Sequence, residues 1–222
     1  MAKSGSHVVV VGGTKGIGRA VADALGEKAV VWSRERGVDA TDSESVRVAA
    51  ERLLVQQGAP WGLVHCVGDF YEAPLLSTEP LEFGKLIASN LTSALLVTQA
   101  IVPSMLAAKC GRVVLFAAAG AGKHRAMSRA PAYFAIKAAL VHLARSLAAE
   151  CAPSSVTVNV VSPGLVVHEH SHEASQRRIL PRVPMGRLGT TAELAGVVRW
   201  LLSEQSGYMT GEDITVDGGL QL

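Results

Sequence analysis

The chain alternates short stretches that are apolar throughout with longer stretches of helical spacing. HVVVV, AVVWS, WGLVHCVG, RVVLFA, SVTVNVVSPG and DITVDGG are the short ones, and each predicts a strand. GIGRAVADALGE, SESVRVAAERLLVQQG, AYFAIKAALVHLARSLAAE and TAELAGVVRWLLSE carry apolar positions three and four apart and predict helices. Residues 80–109 read as one long helix with Pro103 kinking it near its end. Residues 165–187 are polar and without period, and predict an irregular lid. Strands apolar on both faces, alternating with helices, give an α/β fold: a doubly wound parallel sheet with helices on both faces. Ligands of such sheets bind at the carboxyl ends of the strands.

Composition narrows the picture. The 222 residues, 49% of them hydrophobic and 18% charged, suit a well-packed chain rather than a disordered one. No repeat or linker breaks the pattern, so residues 1–222 read as a single domain. A net charge of +2 gives no case for nucleic acid or an anionic membrane. Val8–Val11 is too short a run for a signal core or a membrane span. Cys66, Cys110 and Cys151 are odd in number and widely spaced, which suits free thiols in a reducing, cytoplasmic setting.

The first strand ends in GGTKGIG. Gly12, Gly16 and Gly18 stand where the strand turns into a helix. Without side chains there, backbone can approach a pyrophosphate, and the helix start offers free N–H groups and a positive dipole end. The same glycines also suit a plain tight turn; their place directly after the first strand favours a nucleotide. The second strand ends in Ser33 and Arg34 instead of the acid that would hold a ribose 2′-hydroxyl, and Lys15 sits in the glycine loop. Two cations suit a 2′-phosphate, which favours NADP(H) and leaves NAD(H) as the alternative. DATD follows within a few residues, so the second crossover helix must be very short or missing, and Asp39 is the acid nearest the adenine.

Tyr133 and Lys137 are i and i+4 on one predicted helix and share a face. A free phenol, with a pKa near ~10, is a poor proton donor or acceptor at neutral pH. A neighbouring ammonium is expected to lower that pKa and make Tyr133 an acid–base catalyst.

These motifs together resemble the short-chain dehydrogenase/reductases, over essentially the whole chain. The glycine loop is similar to T-G-x-x-x-G-x-G, and YFAIK to Y-x-x-x-K. Asn90 in ASNLTSALLVTQAIVPSM fits the helix asparagine, and SPG and TGEDITVDGG fit the two late segments. The nearest flavour is that of 3-oxoacyl-carrier-protein reductases and related ketone reductases. The resemblance implies a Rossmann-type fold and a Tyr133–Lys137–Asn90 catalytic set moving a hydride between nicotinamide and a carbonyl or alcohol. Lys137 would hold the nicotinamide ribose, and Asn90 a water leading to solvent. The cofactor would meet Gly12, Thr14, Lys15, Gly16, Ile17 and Gly18 in the first loop, and Ser33, Arg34 and Asp39 after the second strand. Val67 and Gly68, then Tyr133 and Lys137, then Pro163, Gly164, Val166 and His168 would complete its site. The substrate is a small carbonyl or acyl compound, carrier-bound in one version. The resemblance also implies a homodimer or homotetramer built on helices 82–109 and 132–150 and the C-terminal strand.

Four departures stand out. Aligned on the family's G-R-I-V-N-I-S-S, GRVVLFAAAGAG places Ala117 and Ala118 where serines belong, and the catalytic serine position is read as Ala118. Alanine has no donor. By analogy with loss of one oxyanion-hole donor, turnover would fall by about 10²–10³. His124 or Ser128, in a loop longer than usual before Tyr133, offers a substitute donor; an activated ketone or imine is a second way out; a protein that binds cofactor and does little chemistry is a third. Val11 replaces the loop threonine, and HCVG replaces N-N-A-G, with Cys66 an ordinary buried thiol rather than a nucleophile. His168 stands where a threonine is usual and suits a polar contact to cofactor or substrate. In an extended strand His168, His170 and His172 would share a face as metal ligands do, but the segment need not be a strand and a polar lid is the preferred reading, with no metal expected. Lys123, His124, Arg125 and Arg129 make the long loop basic, which suits solvent or an anionic group such as a phosphopantetheine-bearing carrier.

The leading reading is therefore an NADP(H)-dependent carbonyl reductase. The alternatives are an NADP(H)-binding sensor or partner protein, and a dehydratase or isomerase using the tyrosine–lysine pair for proton transfer alone.

Overall fold

The computed structural model describes residues 6–123, 126–169 and 173–222. Val8–Val11 (β1), Ala29–Trp32 (β2), Gly62–His65 (β3), Gly111–Phe116 (β4), Val156–Pro163 (β5) and Asp213–Val216 (β8) form one parallel sheet in the order β2-β1-β3-β4-β5-β8. Two short strands, Val166–Val167 (β6) and Gly189–Thr190 (β7), pair outside it. β1 pairs with β2 on one side and β3 on the other, so the chain reverses its direction of travel across the sheet between β1 and β3. That reversal opens a crevice at the carboxyl ends of these two strands.

Alternation along the strands sorts the core into two halves. Val9, Val11, Leu63, Val113 and Leu115 pack with Ser43–Gln57 (α2), Ser93–Ala108 (α4) and Pro131–Cys151 (α5). Val8, Val10, Val64, Val114 and Phe116 pack with Gly16–Leu25 (α1) and Thr191–Leu201 (α7). Side chains one residue apart on a strand point to opposite faces, so continuous valine runs serve both halves. Among the described residues two helical stretches, Pro80–Ala108 and Pro131–Ser154, are long and apolar enough to cross a bilayer. Ile101, Met105 and Leu140 on them are fully buried against the sheet.

Three local readings change. The predicted helix over 80–109 is helical throughout, but Pro80–Ile87 (α3) and α4 are joined by a π-helical turn, Ala88–Thr92. Such turns concentrate at functional sites, and this one carries Asn90. Residues 165–187 are not irregular: they hold β6, a helix at Glu173–Ile179 (α6) and a 3₁₀ turn at Leu180–Arg182. EASQRRI is polar, with its acid in the first turn and its arginines in the last, so it gains helix-dipole and i,i+4 support without an apolar stripe. The second crossover helix is not short or missing: Arg34–Arg36 form a 3₁₀ turn, and α2, Ser43–Gln57, then carries the chain from β2 to β3.

Candidate active site

The glycine loop is built as its sequence demands. Gly12 and Gly16 adopt φ of +81° and +53°, the left-handed region that favours glycine. A Cβ on Gly18 would lie 2.3 Å from Gly12 O, so no side chain fits where α1 crosses the loop. Lys15, the residue before α1, gives no side-chain cap. The Gly16 N–H donates instead to Glu169 Oε1 at 3.1 Å. His168 lies beside the same glycine, its ring 3.8 Å from where a Cβ would sit.

At the end of β2, Arg34 is exposed. Lys15 pairs with Glu35 at 2.9 Å, and the pairing, with a bond from Thr14, holds the Glu35 carboxyl below its ordinary range. Glu35 was not anticipated, and it sets an acid beside the two cations expected to meet a 2′-phosphate. Asp39 accepts from Thr41 through backbone and hydroxyl, at 2.9 and 2.7 Å, and those bonds keep it ionised. Ser33 Oγ is buried and unpartnered among the described residues, an orphan a ribose or phosphate oxygen would satisfy.

Between the glycine loop and α5 lies a cavity of about 320 Å³. Lys15, Gly16, Ile17 and Gly18 line it from the loop, Val67 and Gly68 from the end of β3, Tyr133 and Lys137 from α5, and Pro163 and His168 from beyond β5. Gly164 and Val166, expected here, do not line it. Val166 is buried in the core beside α7, and a Cβ on Gly164 would strike Asp217 at 2.8 Å. Ala117 lines the cavity directly after Phe116 at the end of β4, and Ala118, the residue after it, is also buried. Neither alanine has a side-chain donor to offer a substrate oxygen. Ser128 is exposed and does not line the cavity; His124, Arg125, His170 and His172 lie outside the described residues. Among the described residues no group of three metal-ligating side chains forms.

Lys137 is 4% exposed, and its Nζ donates to Phe116 O at 2.7 Å. Burial pulls its pKa down to about 8. The ammonium lies 5.7 Å from the centroid of the Tyr133 ring. Burial pushes the Tyr133 phenol above its ordinary range, contrary to the expectation that Lys137 would lower it. At this separation desolvation outweighs the cation. Phe70 and Phe134 pack edge-on against the phenol ring, at centroid distances of 5.0 and 5.4 Å.

Asn90 is fully buried. Its Nδ2 donates to Leu86 O and Asp69 O, both at 3.0 Å, and to Ser89 Oγ at 3.2 Å. Its Oδ1 has no partner among the described residues. A Cβ on Gly68 would lie 2.3 Å from that oxygen and 3.2 Å from Lys137 Nζ, so the two polar heads face one another across the space a glycine leaves. His65, in the N-N-A-G position, bonds Ser93 Oγ at 3.0 Å, and Ser93 donates to Ser89 O at 2.6 Å. Burial, with the Lys137 charge, lowers the His65 pKa to about 3, so it stays neutral. A polar clamp, not packing alone, thus joins β3 to the π turn. Cys66 lines the cavity as a neutral thiol, its pKa raised to about 12 by burial.

The chain resembles known proteins over nearly its whole length. Residues 1–221 match the family model described as enoyl-(acyl carrier protein) reductase. The chain is 37% identical to the 3-oxoacyl-[acyl-carrier-protein] reductase MabA of Mycobacterium tuberculosis, over 96% of this chain and 92% of that one. It is 30% identical to the 3-oxoacyl-[acyl-carrier-protein] reductase FabG of Escherichia coli, over 98% of each. A putative gluconate dehydrogenase from Agrobacterium tumefaciens superposes with a TM-score of 0.88 at 24% identity, covering 99% of this chain and 98% of its own. The chain belongs to the short-chain dehydrogenase/reductase family. It is an oxidoreductase of that type, with a parallel Rossmann-like sheet.

Proposed function

We propose that this enzyme uses NADPH to reduce the 3-oxo group of an acyl thioester carried on an acyl carrier protein. One observation carries the reading: Tyr133 and Lys137 open into the same cavity as the glycine loop, with Lys137 anchored on Phe116 O. The names of the 30–37% identical relatives supply the substrate class. The residues fit a phosphorylated dinucleotide: a glycine cradle that a Cβ would fill, Arg34 exposed at the end of β2, Lys15 in the glycine loop, and the orphaned Ser33 Oγ. NAD(H) would leave Arg34 without a partner on the ligand.

When bound, that cofactor supplies the hydride. The chain's own work is to hold and move a proton. A phenol kept protonated by burial suits donation to a carbonyl oxygen, and so suits reduction better than alcohol oxidation. Lys137, with two N–H groups beyond the bond to Phe116 O, holds a ribose and resupplies Tyr133. Asn90 Oδ1 is the acceptor on the far side of Lys137. Neither Ala117 nor Ala118 offers the substrate oxygen a side-chain donor, and Tyr133 serves it. A 3-oxo group beside a thioester is activated and tolerates that loss better than a plain ketone.

Glu72 ties the long loop to α6 by accepting from Arg129 at 3.2 Å and Arg178 at 3.0 Å, which suits a basic rim over which a carrier is received. The reading includes a homodimer or homotetramer through α4, α5 and the C-terminal strand, working in the cytoplasm. NADPH consumption with 3-oxoacyl thioesters, compared with simple ketones, tests it: faster turnover of the thioesters is expected, and no turnover of either would overturn it.

A further inference from the structure

Glu169 holds a position that a bound dinucleotide would need. It leaves the turn after β6 and accepts the N–H of Gly16, the first residue of α1, at 3.1 Å. His168, its neighbour, lies beside the same glycine and lines the same cavity. Lys15 offers no side-chain acceptor at this helix start, so an acceptor from 153 residues away completes it. A carboxylate and a pyrophosphate are chemically alike in what they ask of an amide at a positive helix end. One N–H has one hydrogen and serves one of them at a time.

We infer that Glu169 is a resident competitor for the cofactor's pyrophosphate, so that the chain itself sets its dinucleotide affinity. The inference rests on the dinucleotide reading above and adds a residue to it. Binding must first release Glu169, and His168 with it, from the glycine loop. The affinity observed is then the intrinsic affinity reduced by the fraction of molecules in which the amide is free. Both dinucleotides carry the pyrophosphate, so the reduction is the same for NADP⁺ and NAD⁺. That separates Glu169 from Arg34, whose effect is confined to the 2′-phosphate. Glu169 is exposed, so replacing it leaves the core intact.

The experiment is titration calorimetry of the full chain with NADP⁺ and with NAD⁺, for wild type, Glu169→Gln, Glu169→Ala and Glu173→Gln. Glu173 is an exposed acid of the same segment, paired with Arg177, and controls for bulk charge. Glu169→Ala is expected to tighten both dinucleotides by a common factor of about 3 to 10, Glu169→Gln by less, and Glu173→Gln not at all. Unchanged or weaker binding in both Glu169 variants overturns the inference and leaves the cofactor reading standing. So does equal tightening in Glu173→Gln. Failure of every protein to bind either dinucleotide overturns the cofactor reading and the inference together.

Discussion

Lys137 Nζ donates to Phe116 O at 2.7 Å, one residue before Ala117 enters the cavity. The bond fixes the ammonium to the end of β4, so α5 and the sheet together place the cation. An ammonium titrating near 8 is lost as pH rises through that value. The falling limb of kcat/KM in the free enzyme is therefore expected near pH 8, reported by a pH–rate profile. Lys137→Arg, which stays charged at any working pH, should shift that limb upward while lowering the rate. A profile flat through pH 9 in wild type would remove Lys137 from the chemistry.

Ala117 and Ala118, after β4, leave the serine position without a side-chain donor. Ala118→Ser, at the position aligned with the catalytic serine, should raise turnover of a plain ketone about 10-fold or more. Ala117→Ser, one residue earlier, should raise it less. Steady-state kinetics of both variants decide which alanine stands in the serine's place.

Arg34 is exposed, so its loss costs the fold little. Arg34→Ala is expected to weaken NADPH binding about 10-fold or more and NADH binding little, measured by fluorescence titration. Equal losses would show that no 2′-phosphate is read there.

Gly68 tests the space between Asn90 and Lys137. The atoms an added methyl would strike are side-chain ends, so the cost falls on the site more than on the fold. Gly68→Ala should lower kcat about 10-fold or more, with thermal melting shifted by only about 2–4 °C. A large loss of melting temperature with full specific activity would contradict the assigned geometry.

Much of the fold was legible because its signals are local. VVVV cannot be satisfied by one buried face, and the three glycines sit directly after it. Tyr133 and Lys137 carried their own spacing. What stayed hidden depends on contacts distant in sequence. The π turn reads as ordinary helix, since its hydropathy is that of its neighbours. Glu35 looks like any surface acid until Lys15 is brought to it, and Glu169 until β6 folds back on the glycine loop. His65 reads as a substitution in a motif until Ser93 is seen across from it. The direction of the Tyr133 shift was misjudged because spacing reveals the nearby cation and not the depth of burial.

The most direct measurement is NADPH oxidation with a 3-oxoacyl thioester by wild type and Tyr133→Phe, with cofactor affinity measured alongside. Removing one hydroxyl from the Tyr133 ring should cut kcat by about 10²-fold or more and leave the NADPH dissociation constant within about twofold. Full turnover by Tyr133→Phe would contradict proton donation from Tyr133, and with it the mechanism built on that phenol.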